Sequence, residues 1–212
     1  MTTIIGLTGS IGMGKSTAAA MFRRLGIPVH DSDATVHALL GPGGRAVAAV
    51  KREFPGVVKD GAVDRAALGK QVFGNQAALR RLEAILHPLV RAEAERFVAR
   101  QRAAGRDLVV LDIPLLFETK GESRCDVIVV VSAPAHVQRA RVLRRPGMTE
   151  ERLRQVLAKQ MPDREKRRRA DFVVETGLGK RYTLRRISEI VSILRSHARN
   201  CPRHRNHRAR PR

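Results

Sequence analysis

Aromatic residues are scarce in this sequence of 212 residues, which contains no tryptophan, one tyrosine and six phenylalanines. Proteins that bind single-stranded nucleic acid commonly stack the bases on such side chains. The composition therefore offers few residues for that mode of binding. A globular core is still expected, because hydrophobic residues make up 43% of the chain and a chain of this length can bury a substantial interior.

Cysteines and long apolar runs are also few. The two cysteines, Cys125 and Cys201, do not show the spacing of a metal site or of a disulfide framework. The longest apolar run in the later part of the chain, Val127–Val131, is too short to cross a bilayer. The stretch Met1–Thr3 has no basic residue, and the apolar segment after it is interrupted at Gly6, so no signal peptide is expected. We therefore expect a cytoplasmic protein.

Acidic residues are outnumbered, since 20 aspartates and glutamates face 41 lysines and arginines, giving a net charge of +21. Residues 195–212 contain seven arginines, no acid and no apolar periodicity. We expect this tail to be disordered and to bind polyanions only non-specifically. The remaining charge is compatible with a nucleic-acid partner, with polyphosphate substrates, or with a simple bias towards arginine.

The most informative stretch lies near the N-terminus, where a short apolar strand, Ile4–Leu7, leads through glycine-rich sequence into a helix. The intervening residues match G-x-x-x-x-G-K-[ST], the phosphate-binding loop, in the strand-to-helix position that this motif requires. A glycine-rich turn without a ligand is the alternative, but the full pattern in this context is rare by chance. The nucleotide site is predicted at Gly9, Ser10, Ile11, Gly12, Met13, Gly14, Lys15, Ser16 and Thr17.

Three kinds of residue in this loop suit phosphate binding. We expect Gly9, Gly12 and Gly14 to adopt backbone conformations that other residues avoid, so that successive N–H groups turn towards a phosphate. The start of the next helix adds free amides and the positive end of its dipole. Lys15 brings a full charge to the β- and γ-phosphates, and the Ser16 hydroxyl is a natural Mg²⁺ ligand. ATP and Mg²⁺ are the expected cofactors.

Two carboxylates follow the first helix, at Asp31 and Asp33. In an extended segment their side chains would point the same way, beside the phosphate-binding loop. A kinase places a catalytic base or a ligand of metal-bound water at such a position. One of the two could instead cap the helix that begins around Ala34. We favour Asp33 as the functional carboxylate.

Residues 34–104 show helical periodicity without a convincing strand, and such an insertion in an α/β core commonly carries substrate recognition. The expected helices cover 34–40, 45–54, 65–73 and 76–101, with Asp64 and Asn75 as N-caps. Within the last helix, the sequence around His87 contains a proline that we expect to kink or restart it. Arg91 could bind an anionic substrate group. Taken alone, His87 is expected to be a capping or structural histidine rather than a catalytic one.

The later strands each end near polar residues. The strand at 107–112 ends on Asp112, in the manner of a Walker B strand whose carboxylate reaches Mg²⁺ directly or through water, although a simple strand-end cap is the alternative. The loop after it contains Leu115 and other apolar residues that could wall a ligand pocket. Further strands are expected at 126–132 and 171–175.

The helix after the strand at 126–132 carries Gln138, Arg141 and Arg145 at spacings of three and four. Another helix begins at Thr149, after the turn at Pro146. Two such helices resemble the lid of a small-molecule kinase, whose arginines cover the phosphates, although a solvated arginine face is the alternative.

Together these segments predict a three-layer α/β fold, a P-loop kinase core with a five-stranded parallel sheet, a helical substrate-binding insertion and a helical lid. The expected division assigns 1–33 and 105–194 to the nucleotide-binding core, with the lid at about 136–165. Residues 34–104 form the insertion, and 195–212 the tail.

The combination of motifs resembles the dephospho-coenzyme A kinases over nearly the whole chain, from Ile4 to about Leu194. The shared sequence includes the phosphate-binding loop, Asp31-x-Asp33, His87-Pro88-Leu89-Val90, Asp112-x-Pro114-Leu115-Leu116-Phe117-Glu118, Gln138-x-x-Arg141-x-x-x-Arg145, Gln160, Lys166 and Ala170-Asp171. The chain departs from the common pattern of the family at Pro146, Val156 and Thr176. The resemblance implies transfer of the ATP γ-phosphate to the ribose 3′-hydroxyl of dephospho-coenzyme A, the last step of coenzyme A synthesis.

The resemblance also implies roles for single residues. Asp33 is the expected base, Lys15 the phosphate clamp and Arg141 the lid arginine, with Arg145 beside it on the nucleotide. Metal binding is expected at Ser16 and Asp112. Substrate-binding residues are expected at Thr8, Asp33, His87, Arg91, Leu115 and Glu118.

Two other functions stay open on sequence. A nucleoside or nucleotide kinase would have a similar core, although the helical insertion with its His-Pro pair argues against it. A nucleic-acid-binding NTPase is suggested by the charge and predicts steeply salt-dependent binding. The oligomeric state is not predicted.

Overall fold

The computed structural model describes residues 2–200, so the predicted tail lies outside the described residues from position 201 onwards. The strands and helices follow in the order β1 (Thr3–Thr8), α1 (Lys15–Arg24), β2 (Val29–Asp31), α2 (Ser32–Leu40), α3 (Val47–Glu53), β3 (Val58–Lys59), β4 (Ala62–Val63), α4 (Arg65–Val72), α5 (Gln76–Ala103), β5 (Leu108–Asp112), β6 (Val127–Ser132), α6 (Ala135–Leu143), α7 (Glu150–Ala158), α8 (Asp163–Arg169), β7 (Phe172–Glu175) and α9 (Lys180–Asn200).

Five parallel strands form the main sheet in the order β2-β5-β1-β6-β7. Strands β5, β6 and β7 read as largely continuous apolar runs because helices cover both faces of the sheet. On one face the core includes Phe22 of α1 and Ile187 of α9, whereas on the other α5 packs Val98 against Val109 and Leu111. The predicted three-layer α/β fold is therefore confirmed.

The sheet topology brings the polar strand ends to one edge. The order of the strands reverses direction around β1, which lies between β5 and β6, and ligands bind at such a switch point. Leu7 pairs with Asp112, and Asp112 pairs with Asp31 across the next ladder. The phosphate-binding loop and both strand-end aspartates consequently share the carboxyl edge of the sheet.

The insertion has a hydrophobic cluster of its own, in which α5 packs against α2, α3 and α4 through residues such as Leu40, Val50 and Leu86. The side chains of Asp64 and Asn75 cap α4 and α5, as predicted. The expectation of no strand was wrong, because β3 and β4 form a small hairpin. Strands of two residues show no periodicity from which they could be predicted.

Proline at position 88 does not end or restart a helix, since α5 continues through it from Gln76 to Ala103. The apolar face of α5 is buried both above and below Pro88, at Leu82, Leu86, Ala94 and Val98. Packing of that face outweighs the loss of one backbone hydrogen bond in this long helix.

Two boundaries in the C-terminal half differ from the expectation. A separate short helix, α8, follows α7. Helix α9 continues past Leu194 to Asn200, so the expectation of disorder was wrong for residues 195–200. The amphipathic pattern of α9 is supported by burial of Ile190, Val191 and Leu194, and the polar residues beyond simply extend the helix. No helix within residues 2–200 is long and apolar enough to cross a membrane.

Candidate active site

The phosphate-binding loop surrounds a cavity of about 600 Å³ at the carboxyl edge of the sheet. Gly12 and Gly14 have φ angles of 76° and 87°, which lie in the left-handed region that favours glycine, as predicted. Gly9 was expected to share this conformation but does not have a left-handed φ. It is required by space instead, because a Cβ there would lie 2.4 Å from Val131 Cγ2.

All of the predicted nucleotide-binding residues line this one cavity, together with Asp33 and Arg141. The loop residues are Gly9, Ser10, Ile11, Gly12, Met13, Gly14, Lys15, Ser16 and Thr17. Arg145 also lines it, although it lies beyond the end of α6 rather than on the helix face that the spacing indicated. The arrangement therefore agrees with a nucleotide site in composition and position.

Two glutamines hold the backbone of Ile11 in this loop from opposite directions. Gln138 on α6 donates from Nε2 to the Ile11 carbonyl at 2.8 Å. The Ile11 amide donates to Gln160 Oε1 at 3.0 Å, and Gln160 lies between α7 and α8. Helix α6 and the segment that follows α7 are thus both hydrogen-bonded to the loop through a single residue, Ile11.

The three predicted carboxylates have different environments. Asp31 caps α2 by accepting a hydrogen bond from the Ala34 amide at 3.0 Å, which is the capping role considered for one of the pair. Asp33 lies in the first turn of α2 and is exposed to the cavity. The chain turns into a helix at Ser32, so the expectation of an extended segment with parallel carboxylates was wrong.

Asp112 is buried at the end of β5, where its Oδ1 lies 2.5 Å from Lys15 Nζ. Burial raises the pKa of the Asp112 carboxyl above its ordinary value, the Lys15 ammonium opposes this, and the charges of Asp31 and Asp33 add to the rise. The Lys15 ammonium therefore has a carboxylate partner beside the phosphate-binding loop.

The lid arginine is held at the edge of the same cavity. Arg141 donates from Nη1 to Thr176 Oγ1 at 2.9 Å and from Nη2 to the Thr176 carbonyl at 2.7 Å. The Thr176 hydroxyl in turn donates to the Met13 carbonyl at 2.8 Å. Thr176, at one of the positions where the chain departs from the family pattern, thus joins α6 to the phosphate-binding loop.

A second cavity, of about 280 Å³, lies between the insertion and the core. The predicted residues His87, Arg91 and Leu115 line it, together with the apolar face of α5. Asp33 and Pro114 line both cavities, so the two spaces adjoin at the candidate base. A group bound in either cavity can therefore face Asp33.

Two predicted substrate-binding residues are not brought to either cavity. Thr8 is fully buried, and its hydroxyl donates to the Pro114 carbonyl at 3.0 Å. Glu118 accepts the Met161 amide at 2.7 Å and lies 2.9 Å from Lys166 Nζ, which is completely buried. The structure corrects both expectations, because these side chains contact the protein itself.

Several lining residues were not singled out by the sequence argument for this role. Gly179, Lys180 and Thr183 at the start of α9 line the first cavity, as do Val156 and Gln160. The signal for the α9 residues was available, since loops that follow parallel strands gather at one edge of the sheet. Here that loop follows β7.

Comparisons with known proteins agree with this geometry. The sequence model of the family described as dephospho-CoA kinase matches residues 3–179. A curated dephospho-CoA kinase from Paramagnetospirillum magneticum is 74% identical over 164 residues, covering 77% of each chain. One from Mesorhizobium japonicum is 59% identical over 192 residues, covering 91% of this chain and 96% of the relative.

Solved structures show the same architecture. A Thermus thermophilus crystal structure superposes with a TM-score of 0.79 at 39% identity, covering 91% of this chain and 97% of that one. A dephospho-CoA kinase from Campylobacter jejuni superposes with a TM-score of 0.63 at 22% identity over 91% of this chain and 97% of its own, which is a likeness of fold. On the match of the family over most of its length and the identity to curated members, this chain belongs to the dephospho-CoA kinase family.

Proposed function

We propose that the protein transfers the γ-phosphate of ATP to the ribose 3′-hydroxyl of dephospho-coenzyme A, yielding coenzyme A and ADP. The observation that carries this proposal is the pair of cavities that adjoin at Asp33 and Pro114. One cavity is built by a phosphate-binding loop, and the other by the helical insertion. A kinase needs this arrangement because the donor phosphate and the acceptor hydroxyl must meet in line.

The larger cavity takes ATP. The loop amides and the start of α1 face the phosphates, and Lys15 and Arg141 supply positive charge where negative charge develops during transfer. Arg141 lines the same cavity and donates hydrogen bonds to the Gly12 carbonyl and to Thr176, which supports a role of its charge at the phosphates. These groups bind and orient the triphosphate.

The smaller cavity takes part of dephospho-coenzyme A, and residues 34–104 form the substrate-binding insertion. Its lining combines apolar side chains of α5 with the cations Arg91 and Arg124 and the carboxylates of Asp33 and Glu83. Such a surface suits a substrate that carries both aliphatic and phosphate groups. His87 and Leu115 border the same space and are assigned to substrate contact.

Asp33 is the catalytic base in this scheme. Its carboxylate accepts the proton of the 3′-hydroxyl as the hydroxyl oxygen forms a bond to the γ-phosphorus. The bond from that phosphorus to the bridging oxygen of ADP breaks at the same time, so atoms and charges balance. Exposure of Asp33 to both cavities supports this role.

Magnesium is proposed as the metal, with Ser16 and Asp112 as the residues that would hold it. A hydroxyl and a carboxylate are ligands that Mg²⁺ prefers, and ATP phosphates and water commonly supply the rest. Within residues 2–200, no cluster of three histidine, cysteine, aspartate or glutamate residues could form a cage made of protein alone. When bound, Mg²⁺ neutralises charge on the phosphates.

The Arg91→Gln substitution is expected to raise the KM for dephospho-coenzyme A about tenfold, because it removes a charge-assisted contact in the acceptor cavity. The KM for ATP should stay unchanged, since Arg91 does not line the nucleotide cavity. Steady-state kinetics with each substrate varied in turn measure both values. The control is Arg102→Gln, an exposed arginine in the last turn of the same helix. Equal effects on both KM values would contradict the assignment.

The Arg141→Ala substitution is expected to lower kcat about tenfold, the effect of losing one hydrogen bond to a charged group. The matched control is Arg139→Ala on the same helix, because Arg139 is paired with Glu150 outside the cavity. Initial rates at saturating ATP test both variants. An Arg141→Ala enzyme with normal kinetics would remove Arg141 from the mechanism.

The function itself is tested by incubating the protein with Mg·ATP and dephospho-coenzyme A, in parallel with a panel of nucleosides and nucleotides, while ADP release is followed. Turnover with dephospho-coenzyme A alone is the expected result. Activity only on a nucleoside would favour a nucleoside kinase. Hydrolysis stimulated by DNA or RNA and abolished by moderate salt would favour a nucleic-acid-binding NTPase. Cytoplasmic location and non-specific polyanion binding by residues 195–212 stay predictions.

A further inference from the structure

Glu118 connects the loop after β5 to the segment between α7 and α8. It lies in the loop after β5, and its Oε1 accepts the Met161 amide at 2.7 Å. The same oxygen lies 2.9 Å from Nζ of the completely buried Lys166. The other oxygen, Oε2, is buried and has no hydrogen-bond partner within the described residues. The Glu118 side chain is thus largely but not completely buried, and its contacts are with the protein.

The loop that carries Glu118 also forms a wall of the acceptor cavity. Pro114 and Leu115 line that cavity, and Glu118 follows three residues after Leu115. The intervening turn is fixed by two hydrogen bonds from Thr119, whose amide and hydroxyl donate to the Leu115 carbonyl at 3.0 and 2.8 Å. These bonds fix the backbone around Glu118 relative to Leu115.

The segment that Glu118 contacts leads directly to the phosphate-binding loop. Met161 follows Gln160, whose Oε1 accepts the Ile11 amide at 3.0 Å. Fixing the Met161 amide limits the positions that the Gln160 backbone can adopt. A continuous path of hydrogen bonds and short backbone links therefore runs from the acceptor wall to Ile11.

Packing between the loop after β5 and the segment around Met161 does not depend on the ion pair of Glu118 and Lys166. Leu116 and Phe117 already pack with Ile128, Val130 and Met161 in an apolar cluster. A buried ion pair commonly stabilises a fold no better than apolar residues of similar volume, because both charges must leave water. The ion pair and the hydrogen bond to Met161 are therefore expected to fix the position of this segment more than they stabilise the fold.

We propose that Glu118 is a positioning residue for the nucleotide site, which acts by holding Met161 and thereby keeping Gln160 on the Ile11 amide. This inference deepens the proposed function and rests on it, since it joins the acceptor wall to the loop that binds the donor phosphates. The completely buried Lys166, whose Nζ lies 2.9 Å from Glu118 Oε1, is the partner that holds this carboxylate in place.

The test compares two double variants that both lack the ion pair. One combines Glu118→Gln with Lys166→Met and keeps a carbonyl that accepts the Met161 amide. The other combines Glu118→Met with Lys166→Met and has no acceptor. We expect the second to bind Mg·ADP about fivefold more weakly than the first, the effect of one hydrogen bond. Its melting temperature should also be a few degrees lower, because the Met161 amide loses its acceptor. Calorimetric titration and thermal unfolding measure the two quantities. Equal affinities would overturn the proposal.

A mutant cycle identifies the route. In a Gln160→Leu background the difference between the two double variants should disappear, because the contact through which Glu118 acts is gone. A difference that persists there would show another route and would also overturn the proposal. If the double variant with Glu118→Met fails to fold, Gln160→Leu alone must still weaken Mg·ADP binding by about the same factor.

These readouts are separate from the proposed function. Mg·ADP binding needs no acceptor substrate, so it can be measured whatever alcohol the enzyme phosphorylates. Failure of the wild-type protein to use dephospho-coenzyme A would reject the proposed reaction while leaving the comparison of affinities valid. Equal affinities with normal turnover would reject the role of Glu118 alone.

Discussion

Replacing Asp33 by asparagine is expected to lower kcat for phosphorylation of dephospho-coenzyme A by about a hundredfold or more, the usual contribution of a positioned general base. The amide cannot take the proton of the attacking hydroxyl, but it keeps the size and most of the polarity of the side chain. ATP should therefore still bind. Rates at saturating substrates and a separate nucleotide titration distinguish the loss of chemistry from a loss of binding.

The neighbouring aspartate provides a matched control. Asp31 caps α2, and asparagine caps helices about as well as aspartate, so Asp31→Asn should preserve both the fold and most of the activity. The two variants differ only in which carboxylate becomes an amide. Full turnover in Asp33→Asn together with a large loss in Asp31→Asn would transfer the role of base to Asp31.

The Lys15→Met substitution is expected to lower kcat about a thousandfold, at the upper end of the effect of removing one preorganised donor from a transition state. Lys15 is the cation at the end of the phosphate-binding loop, and methionine keeps the length of the side chain without its charge. Single-turnover measurements with pre-bound ATP report the loss without a contribution from product release. The control is Lys159→Met, an exposed lysine at the end of α7 that does not line the cavity.

This substitution also has a pH signature, because it removes the partner of Asp112. The Lys15 ammonium is the main influence that lowers the pKa of the buried Asp112 carboxyl, so the pKa should rise further in the variant. A folded-state pKa above the unfolded value means that the folded protein holds the proton to higher pH. The free energy of unfolding of Lys15→Met, relative to that of the wild type, should then decrease as pH rises from the pKa of Asp112 in the unfolded chain to its higher pKa in the folded variant. Thermal unfolding across a pH series measures it, and parallel curves for the two proteins would contradict the ion pair.

Much of the fold was predictable because its signals are local. The strand segments are apolar runs with breaks on both sides, and the loop motif between β1 and α1 specifies its own flanking elements. The hairpin of β3 and β4 and the continuous α5 through Pro88 were not predictable in this way. The first is too short to show a period, and the second depends on packing against the rest of the insertion.

The candidate site was predictable in its composition but not in its orientations. Sequence order shows that Thr8 and Glu118 lie next to lining residues, yet it does not show towards which side a side chain turns. Thr8 faces the Pro114 carbonyl and Glu118 faces Met161, away from both cavities. Likewise, Gly9 looks like the other loop glycines, and only the proximity of Val131 shows that its requirement is steric.

The wall that the two cavities share has a consequence for inhibition. A single molecule that carries an adenosine phosphate on one side and a dephospho-coenzyme A fragment on the other could span the boundary at Asp33 and Pro114. Once its first half is bound, the tether holds the second half at a high effective concentration, so its affinity can exceed that of either half by a factor of about 10² to 10⁴ when the linker matches the distance. In a series of bisubstrate compounds with graded linker length, the linker that gives the highest affinity would thus report the distance between the bound nucleotide phosphate and the acceptor hydroxyl.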